Sequence, residues 1–98
     1  MKSYDKASWH IDGGEERTEV IVRFKAVFDF LYKKGMLTED GAETMEYGMD
    51  DSVSLNSTMV TMDGEAFMEK FYYSILDSNI DVMKENLESA YRKFISKD

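Results

Sequence analysis

His10 is the only histidine in the chain, and it directly follows the only tryptophan, Trp9. An imidazole that titrates near neutrality can serve as a general base or a pH sensor. General-base work needs a nucleophile or a second ligand at recognisable spacing, and none accompanies His10. The expected role is structural or on the surface. Asp77, Asn79, Asp81, Glu85 and Glu88 fall on positions 1, 3, 5, 9 and 12 of a calcium-binding EF-hand loop. That match fails where the loop must turn sharply, because Val82 stands where glycine is needed and Lys84 where an apolar residue belongs. Asp12-Gly13-Gly14 lacks the lysine and hydroxyl residue of a phosphate-binding loop. There is no cysteine, which excludes disulfides, thiolate metal sites and a cysteine nucleophile. Carboxylate pairs such as Asp50-Asp51 are plentiful, but nothing in the sequence singles one out for acid–base work. The eight methionines are scattered, as suits core filling. No enzyme activity, metal or cofactor is expected.

The carboxylates matter more as a distribution. The formal net charge is −8. Residues 35–69 hold nine acids (Glu39, Asp40, Glu43, Glu46, Asp50, Asp51, Asp63, Glu65 and Glu69) and no Lys, Arg or His. The remainder has eleven acids and twelve bases, a net of +1, so this one stretch supplies the whole excess. Concentrated like charge opposes compaction. Solubility and helix capping account for part of it, since acids are favoured in the first turn of a helix. The functional reading is an electrostatic surface for a basic protein, with Glu39, Asp40, Glu43, Glu46, Asp50 and Asp51 as candidate contacts. Direct binding of nucleic acid is not expected, because it needs a Lys/Arg footprint.

The elements that must carry these residues read as a mostly α domain. The length of 98 residues and a 43% hydrophobic fraction that includes six Phe and six Tyr suffice for one core. Val20, Phe24, Val27, Phe28 and Leu31 form one apolar stripe and predict a helix over about 15–34, ended by Gly35. Arg23, Lys25, Asp29 and Lys33 are assigned to its other faces. A short helix is expected over about 39–47, a longer one over about 62–76, and a last one over about 80–95, with Ser78 and Asp81 as a capping-box start. Phe24, Phe28, Leu31, Phe67, Phe71, Leu87 and Tyr91 are the expected core. Val53 and Leu55 alternate with polar neighbours, so a short strand pair near 52–60 competes with an extended loop. The segments beginning Leu37-Thr38 and Val60-Thr61 echo each other 23 residues apart, with five of ten positions identical. Each offers a Thr N-cap before an acidic first turn.

The opening phrase Tyr4-Asp5-Lys6-Ala7-Ser8-Trp9-His10, followed by Gly13-Gly14 and an amphipathic helix ending at Gly35-Met36-Leu37, resembles a family of small uncharacterised bacterial proteins. These are similar to, and sometimes grouped with, immunity proteins of bacterial toxin systems. The resemblance covers about the first 37 residues. The family's Asp-Phe-Pro turn and His-Ile-Gly step are replaced here by Glu15-Glu16-Arg17 and Val20-Ile21-Val22, so roles tied to those residues do not carry over. In physical terms residues 1–14 form an N-terminal clasp. Tyr4, Ala7 and Trp9 would pack onto the first helix, while Asp5 and the Trp9 indole N–H satisfy backbone groups.

The expectation is a single domain that binds proteins rather than transforming substrates. The leading reading is an immunity-type inhibitor of a basic toxin domain. The alternatives are a phage or host regulatory protein that mimics nucleic-acid charge, and a self-associating structural subunit. No apolar run approaches the roughly 20 residues of a membrane span, and no hydrophobic leader is evident, so a cytoplasmic location is expected.

Overall fold

The computed structural model describes residues 2–96. The elements run β1 (Ser3–Lys6), α1 (Ala7–Asp12), α2 (Arg17–Lys33), α3 (Glu39–Glu46), β2 (Ser54–Asn56), a 3₁₀ turn (Ser57–Met59), α4 (Met62–Ile75) and α5 (Ile80–Ser96). The fold is mostly α with one two-stranded antiparallel sheet, β1 against β2. The expected strand lies at 54–56, and its partner is the N-terminal segment. Lys6 pairs with Ser54 and Asp5 with Leu55, then the register shifts before Ser3 meets Asn56. A strand normally turns successive side chains to opposite faces. This irregularity lets neighbours Tyr4 and Asp5 both be buried.

Helix α2 is the centre of the core. Its stripe of Val20, Phe24, Val27, Phe28 and Leu31 is buried throughout, against Leu55 of β2, Phe67 and Met68 of α4, and Met83 and Leu87 of α5 in one cluster. Phe67 sits among the rings of Phe30, Phe71, Tyr91 and Phe94 at centroid distances of 5.5–6.4 Å. Phe71 and Tyr91 are only partly buried, because they close the edge of that ring cluster. The Lys34 ammonium lies 4.7 Å from the Tyr91 ring centroid.

Three expectations are corrected. Trp9, expected to pack onto the long helix, lies instead on the short helix of residues 7–12 and is 54% exposed, with the Lys6 ammonium 5.5 Å from its ring centroid. Arg23, assigned to a face of α2 other than the apolar stripe, is buried as well. Helix α5 is capped by Asn79 rather than Ser78. Asn79 Oδ1 accepts from the backbone N–H groups of both Asp81 and Val82, which places the cap one residue later.

The echoed segments find each other in space. Leu37 and Val60 form an antiparallel bridge. Thr38 N–H donates to Met59 O and Thr61 N–H to Met36 O, both at 2.9 Å. Each threonine then accepts from the glycine three residues on, Gly41 or Gly64, at the start of α3 or α4. The repeat is therefore a local dyad that launches two helices from one bridge. It needs glycine twice. A Cβ on Gly41 would lie 2.4 Å from Met59 O, and one on Gly64 would lie 2.7 Å from Met36 O.

Candidate functional site

The dyad fixes α3, which carries Glu39, Asp40, Glu43 and Glu46, while Asp50 and Asp51 follow in the loop to β2. Glu39, Asp40, Glu43, Glu46, Asp50 and Asp51 are all exposed. Asp40, Glu43 and Asp50 line one open groove between α3 and β2, together with Tyr47, Ser54, Thr58 and Met59. No Lys, Arg or His lines it. Tyr47, at the C-terminal end of α3, is 85% exposed on the same rim. Glu39 and Glu46 lie on α3 outside the groove lining. Asp50 accepts from Ser52 N–H at 2.9 Å and from Ser52 Oγ at 2.5 Å. Those bonds hold its carboxyl below the usual range and close the turn that leads into β2. Asp51 is already paired with the Arg17 side chain, so it belongs to the fold's own electrostatics as much as to an interface. The rest of the acidic stretch faces elsewhere. Glu69 on α4 pairs with Lys2 at 3.1 Å. Burial first, then the charges of Glu65 and Glu69, push the Tyr4 hydroxyl up to about 12.

A second cluster, absent from the sequence reading, lies under the N-terminal clasp. Asp5 is 4% exposed. Its carboxylate accepts from Tyr72 Oη at 2.5 Å and Lys6 N–H at 2.8 Å, and both its oxygens lie 2.8 Å from His10 Nε2. The other ring nitrogen, Nδ1, lies 2.6 Å from Glu15 Oε2. Glu15 in turn accepts from the buried Arg23 guanidinium. The turn after α1 makes this possible. Gly14 has φ +98°, in the left-handed region that glycine enters freely. Its N–H donates to Ile11 O while Glu15 N–H donates to His10 O, a Schellman closure that folds Glu15 back beside the imidazole.

The histidine pKa is raised. Burial acts against the charged form, but the Asp5 and Glu15 carboxylates outweigh it. Glu15 shows the mirror effect: burial pushes its carboxyl up, and His10 and Arg23 bring it below its ordinary value. Burial, then Asp5, drives the Tyr72 hydroxyl far above its ordinary value, so it serves only as a donor.

Both ring nitrogens of His10 face carboxylates, an arrangement that only the doubly protonated ring, with two N–H donors, satisfies in full. Asp77 and Asn79 spend their side chains on the α4–α5 turn, Asp77 Oδ1 accepting from Asn79 N–H at 2.8 Å. Among the described residues no group of three or more His, Cys, Asp or Glu side chains is arranged to hold a metal ion. Nor is any described helix long and apolar enough to cross a membrane.

The clasp network left a faint sequence trace: Asp5, His10 and Glu15 recur at five-residue intervals around Gly13-Gly14. Tyr72 lies 67 residues from Asp5, and no spacing rule reaches that far. No family model, curated protein or solved structure matches this chain.

Proposed function

We propose that this protein is a non-enzymatic binding module of the immunity type, which neutralises a basic toxin domain by docking it on the α3–β2 face. The observation that carries the reading is the exposed row Glu39, Asp40, Glu43 and Glu46 beside a groove whose charged lining is entirely acidic. Carboxylates left without cations in the free protein need no internal rearrangement to meet a lysine or arginine. They draw a basic partner in and repel acidic competitors. Tyr47 offers a large, already exposed ring on the same rim, of the type that anchors interfaces and stacks on guanidinium groups. A toxin that acts on nucleic acid must present a basic substrate surface, and an acidic cover on that surface blocks it without any chemistry.

The test is capture from the native host, with wild type and an E39Q/D40N/E43Q/E46Q variant immobilised in parallel. Mass spectrometry should find a basic protein that wild type retains and the variant loses. An identical set of proteins on both columns would overturn the reading. Recovery of nothing but further copies of the chain would favour self-association instead.

A further inference from the structure

We propose that His10 is a pH-sensitive latch, which in its imidazolium form ties the N-terminal clasp, β1–α1, to the helical body and lets go as it loses its proton. This goes beyond the docking reading and does not depend on it. The geometry carries it. His10 Nε2 is 2.8 Å from both Asp5 oxygens and Nδ1 is 2.6 Å from Glu15 Oε2. A neutral imidazole has one N–H. Without the second, one ring nitrogen sets its lone pair against a carboxylate, and that contact turns from attraction to repulsion.

The groups that meet at the latch come from every element around it. Asp5 enters from β1, and Glu15 from the turn after α1. Arg23 enters from α2, whose Phe24 ring packs edge-on at 6.2 Å. Tyr72 of α4 reaches the latch through Asp5. Asp77 and Ser78 of the α4–α5 turn line a small cleft with His10, Glu15 and Arg23. His10 and Arg23 are the two cations among three carboxylates, so the arrangement favours the protonated ring.

The two sides of the ring are unequal, which sets the order of release. The Asp5 side chain is 6% exposed and the Glu15 side chain 40%. A buried carboxylate that loses a donor has no water to replace it, so Asp5 keeps the remaining Nε2–H. The departing proton leaves Nδ1 for solvent, and Glu15 swings away with only Arg23 to hold it. The turn through Gly13 and Gly14 then loses its side-chain tie, and α1 is left with the Asp5 contact, its apolar packing through Ala7 and Ile11, and backbone bonds, chiefly Ala7 N–H to Val53 O at 3.0 Å. The sign is fixed by linkage. The folded pKa lies above the unfolded one, so the stabilisation is complete below the ordinary histidine pKa of about 6.5 and is lost as pH rises through the folded value.

The experiment is a pH titration of the His10 ring by NMR, with amide exchange protection measured at Ala7 across the same range, on wild type and E15Q. Glu15 is exposed, and glutamine keeps an oxygen that can accept from Arg23, so the variant removes the charge facing His10 while retaining a partner for the buried guanidinium. In wild type the ring should titrate above about 6.5. Protection at Ala7 should fall through the same midpoint, by up to roughly tenfold for each unit that the midpoint exceeds the ordinary value. In E15Q both midpoints should move down together. A ring that titrates at or below its ordinary value would overturn the latch. So would Ala7 protection that stays level while the ring titrates, or an Ala7 profile that ignores the E15Q shift.

Discussion

Asp5 lies in β1 and Asp50 in the turn that leads into its partner β2, and each accepts short hydrogen bonds, but their surroundings differ in kind. The donors to Asp5 come from its neighbour Lys6, from α1 and from α4, and its carboxylate is sealed from water. Asp50 is exposed, and its donors are both on Ser52, two residues away. The contrast extends to their regions. Under the clasp, the carboxylates of Asp5 and Glu15 are matched by His10 and Arg23. On the α3–β2 face, Glu39, Asp40, Glu43 and Glu46 stand in water. A buried charge must be compensated inside the fold, whereas an exposed one remains available to a partner. Carboxylates in the first region therefore hold the structure, and those in the second are left in water, where the proposed docking would use them.

Breaking the clasp should give the largest effect. Asp5→Ala removes the acceptor for Tyr72 Oη and His10 Nε2, leaving the buried Tyr72 hydroxyl unsatisfied and the half-buried imidazole without its partner. Unfolding in urea should show a loss of about 3–5 kcal/mol. Next comes the dyad that aims α3. In Gly41→Ala the new methyl meets the Met59 carbonyl, a backbone atom that cannot rotate aside. The expected loss is about 1–3 kcal/mol, with chemical-shift changes in amide spectra centred on Thr38 and Met59. The smallest effect on stability belongs to the acidic face. The E39Q/D40N/E43Q/E46Q variant loses helix-dipole interactions at Glu39 and Asp40 but is relieved of like-charge repulsion. Its unfolding free energy should stay within about 1 kcal/mol of wild type. A large loss there would mean that those acids hold the fold together, and the contrast between the regions would collapse.

The helices and their caps were legible because their causes are local. The 3.6-residue stripe from Val20 to Leu31 marks α2, and Thr38 and Thr61 mark two helix starts in the residues themselves. The echo between those starts was visible, but its meaning was not. Only the pairing of Leu37 with Val60 shows why both copies need threonine followed by glycine. Capping chemistry was ambiguous at Ser78 and Asn79, since both can cap, and the three-dimensional turn chose the second. Trp9 and Arg23 were misplaced for a shared reason. Burial preference by residue type puts tryptophan inside and arginine outside. Here a short surface helix carries Trp9 outward, while Glu15 supplies the charge that lets Arg23 go in. The acidic face was legible as a charge run. That Asp51 is partnered by Arg17, and that Asp40, Glu43 and Asp50 share one groove, depends on contacts between distant parts of the chain.

The most direct test of the central claim is the association rate of the captured basic protein with wild type and with the E39Q/D40N/E43Q/E46Q variant, measured across a salt series. The Debye length shortens from about 30 Å at 0.01 M salt to about 8 Å at physiological strength, so steering by an exposed acidic face is strong at the low end and weak at the high end. The account predicts that wild type associates much faster at low salt and slows steeply as salt rises. The variant should start slow and change little, and dissociation rates should differ far less than association rates. A wild-type rate that ignores salt and matches the variant throughout would contradict it. The acidic face would then serve solubility and helix capping only, and the partner would bind elsewhere on the molecule.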